Sequence, residues 1–190
     1  MVMTATGRKP LDVNGMFPQV KDIKDAKLRQ AVIEVWQELW SQSKWDDVAD
    51  LPTSGEIAYP NLPHSQCVVA MALSIADAFE HYHNVKVNRD YLIAAAVLQD
   101  ASKVVEYEPG PDGKARRTRI GKNFPHGFWC AHLAANKGLP DEITHVMLTH
   151  SPQAPKFPDT LEGKILYYVD QLDVIAIHGD RWKKHLLVGK

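Results

Sequence analysis

Apolar residues recur at helical spacing along most of this chain. Between Lys27 and Ser41, residues Leu28, Val32, Val35, Trp36, Leu39 and Trp40 share one face, which predicts an amphipathic helix whose tryptophans form a core stripe. A Pro-rich loop, "ADLPTSGEIAYPNLPHSQ", separates it from a second helix, about Leu62 to Tyr82. Asn88 suits the cap of a third, Arg89 to about Gln99, with Asp90 favourable in its first turn. A fourth runs from His126 to Lys137 and stops at Gly138, and Pro140 opens a fifth through about His150. Asp159 with Glu162 reads as a capping box before the long helix "LEGKILYYVDQLDVIAIHG", which closes at Gly179. The helical period lapses in "VVEYEPGPDGKARRTRIGKNF", where an Asp112-Gly113 turn flanked by Val, Tyr, Thr and Ile predicts a short β-hairpin. The expected fold class is all-α, a helical bundle with a hairpin flap. Residues 1–60 supply an arm and an amphipathic helix packing on the core, with residues 1–24 lying loosely across the surface. Residues 61–180 form the bundle, and residues 181–190 a polar, basic tail or subunit contact.

Composition narrows the function classes. A chain of 190 residues, 45% apolar and 24% charged, holds one domain with a substantial core. Its net charge of −1 gives no support for nucleic-acid or membrane-surface binding. No apolar run reaches the roughly 18 residues of a membrane span, and "MVMTATGRKPLDVNG" has no apolar stretch of a signal peptide, so a cytoplasmic protein is expected. Cys67 and Cys130 form no CxxC and are expected to be reduced, buried thiols. The partner class is a small molecule, with a homo-oligomer left open.

Ionisable groups inside apolar helices change the picture. Asp100 ends "YLIAAAVLQD" and Asp170 interrupts "ILYYVDQLDVIAI". A buried carboxylate needs a cation, several N–H donors or a metal ion. His64 lies in the first turn of the second helix, His126 at a helix start and His150 at a helix end. Imidazoles and carboxylates on facing helices are how a bundle builds a divalent-metal site. The remaining histidines read otherwise: His81 and His83 as a surface helix end, His132 and His145 as partly buried or surface residues, His178 at a helix C-terminus.

The order His64, Gln99-Asp100-x-x-Lys103, His126, His150, Asp170 resembles the HD-domain superfamily of helical metal-dependent enzymes. The resemblance covers residues 64 to about 178, through "LPHSQCVVAMALSIADAF", "AAAVLQDASKVVEYE", "FPHGFWCAHLAANKGLP", "VMLTHSP" and "TLEGKILYYVDQLDVI". It implies one ion on His64, Asp100 and Asp170, and a second on Asp100, His126 and His150. The cofactor would be one or two divalent ions (Fe, Mn, Zn or Co). Gln99 stands where the family has histidine. It either hydrogen-bonds a metal-bound water, ligates weakly through its oxygen, or marks a first site left empty while one ion sits on Asp100, His126 and His150.

The resemblance implies a hydrolase of a small polar or anionic substrate such as a phosphate ester, working through a metal-activated water. Lys103, three residues beyond Asp100, would meet a phosphate or substrate oxygen, with Gln99 beside it as the other catalytic candidate. The hairpin carries Lys114, Arg116, Arg117 and Arg119, either as a cationic lid with Arg116 and Arg119 on substrate or as a solvated turn. Trp129 is a substrate wall or core. "SPQAPKFP" forms a pocket rim whose single charge is Lys156. Two alternatives stand beside the hydrolase. One is a di-iron oxygenase cleaving a C–P or C–C bond, favoured by the two extra histidines and disfavoured by Gln99. The other is a non-catalytic ligand-binding module with a degenerate metal site.

Overall fold

The computed structural model describes residues 8–54 and 57–177. Its beginning departs from the loose arm expected. Asp12 accepts from the Gly15 N–H and starts a short helix, α1 (Val13–Met16), and Pro18 opens a 3-10 turn over Pro18–Asp22. Phe17, Val20 and Ile23 recur at every third residue, the period that aligns side chains along one edge of such a turn, and all three are fully buried.

The amphipathic helix follows as α2 (Ala26–Gln42), with Asp25 as its N-cap. The Trp36 indole N–H donates to the Val97 carbonyl at 3.1 Å. The Pro-rich segment, read from sequence as loop, instead contains an antiparallel ribbon of β1 (Pro52–Ser54) and β2 (Ile57–Pro60). Strands this short, with prolines at their ends, carry too little alternation to stand out from a loop. Next come α3 (Asn61–His83) and α4 (Arg89–Leu98), the latter capped by Asn88, which accepts from the Tyr91 N–H. Asp90 accepts the backbone N–H groups of Lys24 and Asp25, fastening the start of the chain to α4.

After α4 the chain forms α5 (Lys103–Glu106) and the expected hairpin, β3 (Tyr107–Pro109) with β4 (Ala115–Arg117), in which Tyr107 faces Arg117 and Glu108 faces Arg116. The Asp112-Gly113 turn places Gly113 at φ 74°. The rest is helical: α6 (Arg119–Asn123), α7 (Phe128–Asn136), α8 (Asp141–Thr149) and α9 (Leu161–Ile177). Every residue from Leu92 to Leu98 is buried, because α4 packs against α2, α3, α8 and α9. A helix apolar on all sides belongs at the centre of a bundle. The fold is thus all-α with small ribbons, as the periodicity implied.

Three local expectations change. The cap of α9 is Thr160, whose hydroxyl accepts from the Gly163 N–H at 3.1 Å. Asp159 instead donates its backbone N–H to His145, and Glu162 accepts from the Asn88 N–H at 2.7 Å. The α7 helix starts at Phe128, leaving His126 in the preceding turn. Cys130 is buried but Cys67 is exposed. His178, Gly179 and the 181–190 tail lie outside the described residues. Among those described, no helix is long and apolar enough to cross a membrane.

Candidate metal centre

The central helix ends where polar residues begin. Gln99 is the C-cap of α4, and Asp100 follows in a tight turn closed by the Lys103 N–H on the Asp100 carbonyl at 3.0 Å. Four other elements bring their groups to this point. His64 comes from the first turn of α3 and Asp170 from the middle of α9. His126 comes from the turn before α7, and His150 caps the end of α8. Ligand atoms of His64, Asp100 and Asp170 all lie within 4.8 Å of one another, and so do those of Asp100, His126 and His150. Asp100 belongs to both sets. Gly127 makes the second one close: at φ 79° it brings its backbone so near the Met147 carbonyl that a Cβ would lie 2.2 Å from that oxygen.

Each imidazole turns one nitrogen inward and has the other fixed from outside. His64 Nε2 is 3.3 Å from Asp100 Oδ2 and 3.2 Å from Asp170 Oδ1, while its Nδ1 meets Asp173 Oδ2 at 2.7 Å. His126 Nε2 is 3.1 Å from Asp100 Oδ1, and its Nδ1 meets Glu106 Oε2 at 2.8 Å. His150 donates from Nδ1 to the Met147 carbonyl at 2.9 Å, which leaves its Nε2 lone pair 3.8 Å from Asp100 Oδ1. Outer partners of this kind set the tautomer and aim of metal-binding histidines. Glu106 is itself held by the Ser102 hydroxyl at 2.6 Å and the Gly127 N–H at 3.1 Å. Sequence reasoning missed Asp173 and Glu106. Each lies three residues past a group already singled out, Asp170 or Lys103, on the same helical face, and that spacing was the available signal. Asp173→Asn and Glu106→Gln are each expected to lower divalent-metal affinity by about 10- to 100-fold. Competition against a chromophoric chelator measures this, and unchanged affinity would assign these acids to folding alone.

Without an ion the cluster holds protons instead. Burial alone would raise the Asp100 carboxyl, but the Lys103 ammonium and the imidazoles outweigh it and hold Asp100 well below the usual carboxylate range. Burial pulls His64 down, yet Asp100, Asp170 and Asp173 together push it up from 6.5 to about 11. His126, desolvated but facing Glu106 and Asp100, is pushed up to about 10. These imidazolium groups stabilise the metal-free fold fully below pH 6.5, their ordinary value, and that contribution is lost as pH rises towards 10 and 11. Metal binding therefore has to displace a proton from each of His64 and His126. Titrating an ion into chelator-treated protein in two buffers of different ionisation enthalpy, near pH 7.5, is expected to show that proton release.

The donor set fits a divalent transition ion: mixed imidazole nitrogen and carboxylate oxygen, pre-aimed and desolvated. Gln99 adds a second observation. It is fully buried, and neither polar atom of its side-chain amide has a hydrogen-bond partner among the described residues. An orphaned buried amide costs about 1–3 kcal/mol.

A cavity of about 460 Å³ opens onto the cluster. Lys103 lines it, buried, with its ammonium 2.7 Å from Asp100 Oδ2 and 3.2 Å from Asn61 Oδ1. Arg117, not singled out on its own from the sequence, lines it too, and the segment from Ser151 to Pro155 forms part of its wall. Lys156 does not line this cavity, and neither does Gln99. Arg116, Arg119 and Trp129 line a neighbouring cavity that shares Tyr107, Arg117 and Phe124 with the first. Successive side chains of β4 point to opposite faces of the ribbon, so Arg116 leaves the metal side to pair with Glu108 at 2.8 Å.

No family model matches the chain, and no solved structure matches it. Among curated proteins it is similar to a dihydroneopterin 2',3'-cyclic phosphate phosphodiesterase of Methanocaldococcus jannaschii, with 28% identity over 165 residues. The similarity covers 80% of this chain but 65% of that relative, so the chain spans less than two thirds of its length.

Proposed function

We propose that this chain is a metal-dependent hydrolase of the HD type, with small phosphodiesters as its substrate class. The observation that carries this reading is the convergence of three imidazole Nε2 atoms on one buried carboxylate, Asp100, with Asp170 completing the set around His64. The similarity to a cyclic-phosphate phosphodiesterase supports the choice of phosphate ester over the C–P or C–C bond of an oxygenase substrate.

His64, Asp100 and Asp170 would hold one ion, and Asp100, His126 and His150 another. Bound there, the ions supply Lewis acidity and a water whose pKa falls towards neutrality. The chain supplies the rest. Lys103, already desolvated and anchored on Asp100 and Asn61, presents a fixed positive charge at the cavity wall for a phosphoryl oxygen. Arg117 offers a second cation at the rim, where its guanidinium also donates to the Gly121 carbonyl at 3.3 Å. Asp173 and Glu106 keep the Nδ1 protons of His64 and His126, so their inner nitrogens stay free as donors to metal. Hydrolysis then forms a bond from water oxygen to phosphorus, breaks one ester P–O bond and returns a proton to the departing oxygen.

Gln99, the chain neighbour of Asp100, would hydrogen-bond a water held by the first ion, a partner its amide lacks among the described residues. Gln99→Met, which removes the unpaired amide, is expected to raise the stability of chelator-treated protein by about 1–3 kcal/mol, roughly 2–4 °C in Tm per kcal/mol. The same variant should bind the first ion more weakly, and equal metal affinity would remove Gln99 from the site.

The deciding experiment combines metal analysis of protein purified without added metal with turnover of 2',3'-cyclic nucleotides and bis(p-nitrophenyl) phosphate under Fe, Mn, Co and Zn. Bound metal with phosphodiester cleavage is expected. Bound iron with oxygen consumption and no phosphoester turnover would make the protein an oxygenase. Well under one ion per chain, with no turnover under any metal, would leave a binding module.

A further inference from the structure

The neighbouring cavity, about 620 Å³, lies outside the metal cluster and has a chemistry of its own. Lys44, Arg116, Arg117, Arg119 and Lys122 line it against a single carboxylate, Glu108. That carboxylate is already shared by Lys44 and Arg116. Arg117 donates to a neutral carbonyl, that of Gly121, and has no acidic partner among the described residues. Arg119 and Lys122 are exposed and have no acidic partner among the described residues. Four positive charges are therefore uncompensated at one site of a chain whose net charge is −1. The hairpin and α6 fix the backbone beneath these residues, so their mutual repulsion is relieved only in part by side-chain movement.

Beside the cations stands an aromatic wall. The Phe124 ring is 39% exposed and stacks on Phe128 with centroids 4.9 Å apart. Trp129 lies 5.7 Å from Phe124 and is held in place by its indole N–H on Gln42 Oε1 at 3.0 Å. Clustered guanidinium and ammonium groups suit several phosphate oxygens at once, and an exposed ring suits a flat heteroaromatic base.

We propose that this cavity binds a nucleoside polyphosphate, with the phosphates on Arg117, Arg119 and Lys122 and the base against Phe124 and Trp129. The site lies outside the metal cluster and does not rest on the hydrolase reading, although Arg117 stands between the two cavities. Tyr107, Arg117 and Phe124 form a wall common to both cavities, so an occupant here lies one side chain from the metal-site pocket.

The test is isothermal titration of ATP into the full chain in the presence of chelator. One ATP per chain is expected, bound more tightly than inorganic triphosphate and weakened by added salt. The charge-reversed variant Arg119→Glu/Lys122→Glu should lose at least about tenfold in affinity, with an unchanged circular dichroism spectrum. Asp100→Asn should bind ATP as the wild type does, because the site lies outside the metal cluster. Absence of ATP binding, or wild-type affinity in the charge-reversed variant, overturns the proposal. So does loss of binding in Asp100→Asn, which would put the phosphates on the metal site. Equal affinity for ATP and triphosphate overturns the nucleoside assignment.

Discussion

For the proposed metal-dependent hydrolase, Asp100→Ala is expected to retain neither ion and to hydrolyse phosphodiesters at least ~10³-fold more slowly, because it would lose metal activation of the attacking water. Asp100 is the member common to both ligand sets, so its removal cannot be compensated by the other set. The change also strands charge. Lys103, buried and 2.7 Å from the lost carboxylate, keeps only the Asn61 amide oxygen as a partner. Breaking a buried ion pair on one side typically costs ~3–5 kcal/mol. Metal content by elemental analysis and thermal unfolding with chelator separate these effects. Asp100→Asn keeps the volume and shows whether loss of metal follows from the missing charge. Wild-type metal content in both variants would remove Asp100 from the centre and with it the proposed reaction.

Phe17→Ala should cause the largest loss of stability outside the site, about 3–5 kcal/mol, or a fall in Tm of roughly 2–4 °C per kcal/mol for a chain of this size. Phe17 has no exposed surface, and its ring lies 5.8 Å from that of Trp36 on α2. Trp36 in turn donates to the Val97 carbonyl on α4, the helix that delivers Gln99 and Asp100. A cavity at Phe17 therefore opens beneath the support of the central helix. Lys21→Ala, in the same turn but exposed, should change stability by less than about 0.5 kcal/mol. Equal and negligible effects of both substitutions would mean that the arm is not packed in solution, as its polar composition first suggested.

That arm shows where one-dimensional reading gives out. A window of polar residues with two prolines looks unstructured on average, yet Phe17, Val20 and Ile23 bury completely because three positions at the right spacing suffice for a 3-10 turn. The β1–β2 ribbon is hidden in the sequence for the opposite reason: its pairing is made by backbone groups, which leave little trace in side-chain periodicity. Nearness in sequence to Asp100 and His126 suggests that Arg116 and Arg119 serve the metal-site substrate. The ribbon's alternation turns Arg116 to Glu108, and Arg119, on α6, lines the neighbouring cavity.

Helical period and turn chemistry are local, so the six longer helices and the hairpin could be read along the chain, and the resemblance in the order of its His and Asp residues picked out the five whose ligand atoms meet. Everything else depends on groups distant in sequence meeting in the fold. Asp173 and Glu106 are ordinary helix acids until folding sets them against His64 and His126. Gln99 is one amide among many until the packing of α4 leaves it without a partner among the described residues. Lys44 is far in sequence from the other cations of the second cavity until folding sets it beside the hairpin and α6. Orientation, desolvation and uncompensated charge are properties of groups brought together from distant parts of the chain, and it is these that give the donors of this centre their chemistry.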